Sequence, residues 1–237
     1  MNNKLVVIIG VIILLSSGIK SSAQDDWNHL DHNHMLSDDT ISRKGYTLVF
    51  LNKDNDLSKT VKDRLIEAFF SVYPKEAKMF NKHTIKKVVF FMDPDYKGVA
   101  ATSGDIVRFN PKYFHSNPGD IDVVTHEVMH IVQAYTGNAG PGWLTEGIAD
   151  YVRFKFGVDN QGAHWTLPNF STKQNYENAY RVTARFLVWL EKNKMKGIVK
   201  QLDNDMRTKK YNSQIWKQLT GKTVDELWSE YAQNSAI

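Results

Sequence analysis

The chain of 237 residues predicts an α+β fold: a small mixed sheet with helices first, then a mostly helical half, with an active-site helix between them. Three observations carry this. The segments that read as strands end by Asn110. From Asp120 onward helical periodicity prevails, apart from a loop over Gly157–Asn175. At the join stands His126-Glu127-Val128-Met129-His130, a metal-binding pattern at helical spacing.

Residues 1–23 read as a secretory signal peptide. Lys4 precedes an apolar run from Leu5 to Leu15, and Ser21-Ser22-Ala23 offers the small residues that a signal peptidase reads. Eleven residues fall short of the roughly twenty that span a bilayer, so a cleaved leader is favoured over an uncleaved anchor. The protein is expected to be secreted, extracellular or periplasmic, with no membrane association after cleavage. With no cysteine, an acylated-cysteine anchor and disulfides are both excluded, and stability in an oxidising space rests on core packing. Cleavage removes two of 30 basic residues and none of 26 acids, leaving a net charge of +2, too mild to argue for nucleic acid. Residues 24–42 are polar and acidic and carry His29, His32 and His34 without a scaffold; they read as a flexible lead rather than a second metal site. Residues 43–237 suit one catalytic domain.

Tyr46–Leu51 reads as a strand. Leu57–Phe80 has helical spacing, with Val61, Leu65, Ile66, Phe69 and Phe70 as its core face and an interruption expected near Pro74. Ile85–Met92 is a buried strand, closed by the turn Asp93-Pro94-Asp95. Val99–Ser103 and Ile106–Asn110 flank Gly104-Asp105, a hairpin signal.

The next helix carries the chemistry. Ile121, Val124, Val128, Ile131, Val132 and Tyr135 form an apolar stripe, and His126 and His130 fall roughly opposite it. Asp120 is the expected N-cap, and Gly137 with Asn138-Ala139-Gly140-Pro141-Gly142 the expected stop. Residues i and i+4 lie about 40° apart around a helix, so both imidazoles can bind one metal while Glu127 reaches a water on it.

A second helix follows, Trp143 to Tyr151. Glu146 and Asp150 share one face at i, i+4, while Leu144, Ile148 and Val152 point away. A catalytic zinc site needs three protein ligands and an open position, and two histidines with a glutamate is a known set. Metal-bound imidazoles usually donate their other N–H to a carboxylate, which Asp150 is placed to supply. Metzincins would need glycine at Gln133 and histidine at Thr136, so that branch is excluded.

Gly142–Arg153, His164-Trp165, Tyr180–Leu187 and Leu219–Trp228 together resemble the plant basic secretory protein family and its bacterial relatives, which are secreted zincin-like metallopeptidases. The resemblance runs from about Gly45 to Tyr231. It implies a zincin-like fold, one Zn2+ per chain held by His126, His130 and Glu146, and Glu127 as catalytic base. It also makes Ala100–Ser103 or its partner strand the candidate edge for pairing with extended substrate. Trp143 stands where plant members carry a smaller residue, a position expected to shape the cleft.

The expected chemistry is hydrolysis of peptide bonds by a zinc-bound water, with Glu127 moving the proton. Tyr180 is the first choice of oxyanion donor because the resemblance centres on its segment; His164 and Tyr176 are the others. Arg181 and Arg185 are candidates for substrate carboxylates or for bracing Glu146 and Asp150. The expected partner of this gluzincin-like metallopeptidase, an endopeptidase and a monomer, is a peptide, protein or glycoprotein substrate. The rival functions are a non-catalytic protein that binds peptide or glycan through Trp143, Trp165 and the cleft, and a hydrolase of non-peptide or glycopeptide bonds.

Overall fold

The computed structural model describes Leu30 and residues 35–237. The expected signal peptide and His29, His32 and His34 lie outside the described residues. Five strands, β1 (Ser37–Arg43), β2 (Tyr46–Asn52), β3 (Lys87–Met92), β4 (Ala100–Ser103) and β5 (Ile106–Phe109), form one sheet in the order β1-β2-β3-β5-β4. β2, β3 and β5 run parallel, while β1 and β4 run antiparallel to their neighbours.

β1 corrects the expected flexible lead, which was to run to Ser42. Ser37–Arg43 pairs with β2 from Ser37↔Asn52 to Arg43↔Tyr46. Lys44 and Gly45 both have positive φ (49° and 83°) and close the hairpin. Its polar composition hid the strand because only one face meets the body: Ile41 packs against the core and Asp39 pairs with Lys62 at 2.5 Å.

The helix α1 (Lys59–Met79) joins β2 to β3 and runs unbroken through Pro74, against the expected interruption. An interior proline costs about 3 kcal/mol, and each fully buried large apolar side chain gains roughly 1.5–3 kcal/mol. Val61, Leu65, Phe69, Val72 and Tyr73 are all buried on this helix, so packing wins. Their counterparts on the sheet are Leu48, Phe50, Val88, Phe90, Met92, Val107 and Phe109, all without solvent exposure. Phe90 sits at the centre, with ring centroids 5.1 Å from Phe109 and 5.5 Å from Phe69.

The remaining helices are α2 (Pro111–Ser116), α3 (Val123–Gln133), α4 (Gly142–Phe156), α5 (Tyr180–Asn193), α6 (Ile198–Arg207), α7 (Ile215–Thr220) and α8 (Val224–Gln233). α3 is shorter than expected at both ends. Asp120 is not its N-cap: its carboxylate accepts from Arg153 at 2.5 Å and from Tyr113. Asp122 occupies the cap position, yet its oxygens accept the backbone N–H groups of Val158 and Asp159 at 2.7 and 2.6 Å. The helix stops at Ala134, which adopts the left-handed conformation at φ 46°, before Gly137 is reached. α4 packs on α3, and α5 on α4. Gly147 permits the second contact, since a Cβ there would lie 2.2 Å from Thr183 Cγ2. No helix among the described residues is long and apolar enough to cross a membrane.

Candidate metal centre

α3 is buried on nearly every side, and its two histidines, opposite the apolar stripe, line a cleft that α4 and β4 also border. His126 is 9% exposed and Glu127 7%. The next helix brings Glu146 across, and His126, His130 and Glu146 present ligand atoms within 4.8 Å of one another. His126 Nε2 lies 3.2 Å from His130 Nε2 and 3.2 Å from Glu146 Oε2, and the third side of the triangle is 3.6 Å.

That triangle fits a tetrahedral ion. Bonds of about 2.0–2.1 Å at tetrahedral angles put ligand atoms roughly 3.3 Å apart. The tautomers agree as well. His126 Nδ1 lies 2.7 Å from Asp150 Oδ1, a carboxylate oxygen that can only accept, so Nδ1 carries the proton and Nε2 presents its lone pair. His130 Nδ1 lies 2.7 Å from Gln133 Oε1, and Gln133 Nε2 donates to the Thr145 carbonyl at 2.9 Å, which fixes the amide's orientation. Two imidazole nitrogens and a carboxylate oxygen thus converge on one point, where a bound metal ion, or a proton in its absence, offsets their repulsion. Without a metal, a proton on His126 Nε2 takes the ion's place. Burial pushes the His126 imidazolium down, but the Asp150 and Glu146 carboxylates outweigh it and hold the group up to about 10. Burial pushes Glu146 up, yet the two histidines outweigh it and hold the carboxyl well below its usual range.

Glu127 points beside this cluster. Thr102 Oγ1, on β4, lies 2.7 Å from Glu127 Oε2 and 3.0 Å from the Glu127 carbonyl. Tyr180 stacks on His126 with centroids 6.1 Å apart and planes 20° apart, its residue 55% exposed. The Glu146 carboxylate, then burial, then Asp150 and Glu127 push the Tyr180 hydroxyl above its ordinary value, so it keeps its proton as a donor. A cleft of about 1580 Å³ joins these groups to β4 on one side and to His83, Lys86 and Lys87 at one end.

Other expected residues fall elsewhere. Tyr176 is buried and donates to Asp225 at 2.8 Å, away from the cleft, which removes it as oxyanion donor. Trp143 is not among the residues that line the cleft; half-buried, it packs against Tyr176 and stacks on Trp216 at 6.2 Å. His164 lines a second hollow behind Tyr180. Arg185 donates to the Ser235 carbonyl and braces neither Glu146 nor Asp150.

Three residues escaped the sequence reading. Gln133 had a visible signal, lying three positions after His130 on the same helix. Thr102 had none, because only the sheet brings β4 against α3. Glu76 sits where Val72 and Phe80 continue the buried stripe of α1. It has no exposure, and neither of its oxygens has a hydrogen-bond partner. Burial pushes its carboxyl well above the ordinary range, against a smaller opposing effect of His126.

A family described as "peptidase of plants and bacteria" matches residues 31–231. No curated protein matches the sequence. Among solved structures, an aminopeptidase N family protein from Idiomarina loihiensis is similar at a TM-score of 0.51 and 10% identity, covering 83% of this chain. An M1 zinc metallopeptidase from Deinococcus radiodurans gives a TM-score of 0.49 at 15% identity over 86% of this chain, a likeness too weak to argue from. The chain spans only 46% and 52% of those two proteins. At such identity the first likeness shows a shared fold, the α+β, zincin-like class expected from the sequence.

Proposed function

The chain belongs to this BSP family of peptidases of plants and bacteria, and on that premise we propose that it is a secreted zinc-dependent endopeptidase with Glu127 as its general base. The observation that carries the reading is the triangle of His126, His130 and Glu146, with sides of 3.2, 3.2 and 3.6 Å, next to Glu127. These three residues would hold one Zn2+. Bound there, zinc would act as a Lewis acid toward water and the substrate carbonyl.

The chain's own groups supply the rest. One oxygen of Glu127 is held by Thr102, which leaves the other to take a proton from the attacking water and return it to the departing amine. The Tyr180 hydroxyl donates to the oxyanion that develops on the former carbonyl. β4 forms one edge of the sheet and lines the cleft, so its outer backbone groups can pair with an extended peptide. A second hollow shares Val99, His126, Glu127 and Tyr180 with the cleft, so there is space on both sides of the catalytic groups, which suits cleavage within a chain. Secretion rests on the leader-like composition of residues 1–23.

Digestion of a mixed peptide library by the purified protein is the test. The expected result is internal cleavage that a chelator stops, that zinc restores, and that Glu127→Gln lowers by several orders of magnitude while zinc content stays. Comparable turnover by Glu127→Gln would overturn the assignment.

A further inference from the structure

Behind Tyr180 and Glu127 the cleft opens into a hollow of about 540 Å³ at the Val99 end of β4, walled by Tyr113, Trp165, His164, Arg153 and Arg181. The acids that line it are all engaged. Asp120 accepts from Arg153 and Tyr113, Asp150 holds His126, and Glu127 accepts from Thr102. Arg153 is spent too: it also donates to Asn160, and its guanidinium lies 4.6 Å over the Trp165 ring.

Arg181 differs. Among the described residues its guanidinium makes one hydrogen bond, a long one of 3.4 Å to the Thr166 carbonyl. A guanidinium has five N–H donors, so four are uncommitted. The position does nothing for the helix either. Arg181 is the second residue of α5, where the helix dipole opposes a cation. An exposed fork with one long hydrogen bond, beside the reacting groups, matches the planar, bidentate chemistry of a carboxylate. Val99, Tyr113 and Trp165 offer apolar surface for the carbon chain that carries it.

We infer that this hollow is a substrate subsite in which Arg181 binds a carboxylate of the peptide next to the cleaved bond, from an acidic side chain or from the chain terminus. The inference rests on the peptidase reading and adds a substrate class to it: an acidic side chain keeps the endopeptidase assignment, and a chain terminus would make the enzyme a carboxypeptidase instead. Arg181 is then a specificity-determining residue, and the enzyme prefers acidic or carboxyl-terminal positions on that side.

Matched peptides that differ by Glu, Gln or Lys at each position flanking the cleaved bond, and by a free or amidated carboxyl terminus, test this. A charge-assisted hydrogen bond at a partly exposed site is worth about tenfold. The expected result is about a tenfold advantage in kcat/KM for Glu over Gln, or for the free acid over the amide. Arg181→Ala should collapse that ratio toward one, and Arg181→Glu should turn it in favour of Lys. The comparison of Glu with Gln against acid with amide identifies the source of the carboxylate. Ratios near one in the wild type, or ratios unchanged in Arg181→Glu, would overturn the subsite. If no peptide is cleaved, the peptidase reading fails by itself. The subsite is then judged by equilibrium binding of the same peptides: a tighter Glu peptide whose advantage disappears in Arg181→Ala supports it, and equal affinities overturn it.

Discussion

Asp150 Oδ1 lies 2.7 Å from His126 Nδ1, one helical turn along α4 from Glu146, so one helix supplies both a metal ligand and the partner of another. Asp150 is 5% exposed, and Arg153, a rival partner, is taken by Asp120. The carboxylate therefore fixes the His126 tautomer and makes Nε2 more basic. Asp150→Asn should fold normally and bind zinc about ten- to a hundredfold more weakly, with His126→Ala far worse. Chelator competition measures this, and wild-type affinity in Asp150→Asn would remove the role.

Thr102 ties the edge strand to Glu127 at 2.7 Å. Thr102→Val keeps the shape and deletes the hydroxyl. A hydrogen bond to a charged group is worth about 1.5–3 kcal/mol, so kcat should fall about ten- to a hundredfold with KM and zinc content close to wild type. Thr102→Ser should recover most of the loss. An equal fall in both variants, or a change confined to KM, would assign Thr102 to substrate binding instead.

Glu76 makes stability depend on pH. Its folded carboxyl is raised by burial, while in the unfolded chain it titrates near about 4.3. The contribution is therefore fully present below that unfolded value and is lost as pH rises toward the folded one. Glu76→Gln removes this dependence. Thermal unfolding in chelator should show the variant more stable than wild type at pH 7, with a gap that narrows toward pH 5. A gap that does not change with pH would mean that Glu76 is satisfied by a partner.

Local pattern reveals much of this molecule. The apolar run of Tyr46–Leu51, the hairpin signal at Gly104-Asp105 and the four-residue spacings of His126/His130 and Glu146/Asp150 depend on neighbours in sequence, and the structure forms those elements, α3 with shorter ends than expected. What escaped depends on partners distant in sequence. β1 is half-buried only because β2 and Lys62 receive it. Pro74 is tolerated because the sheet holds α1, and Asp120 leaves the cap because Arg153, 33 residues on, claims it. Trp143 reads as a cleft residue until Trp216 stacks on it. Thr102 and Glu76 are ordinary residues in sequence and acquire roles only through the helix that packs against them.

The central claim is the metal centre. Elemental analysis of protein purified without added metal tests it most directly. One zinc per chain is expected, with the metal lost from His126→Ala, His130→Ala and Glu146→Ala and kept by Glu127→Gln. A double variant, His126→Ala with His130→Ala, that retains full zinc stoichiometry would contradict it.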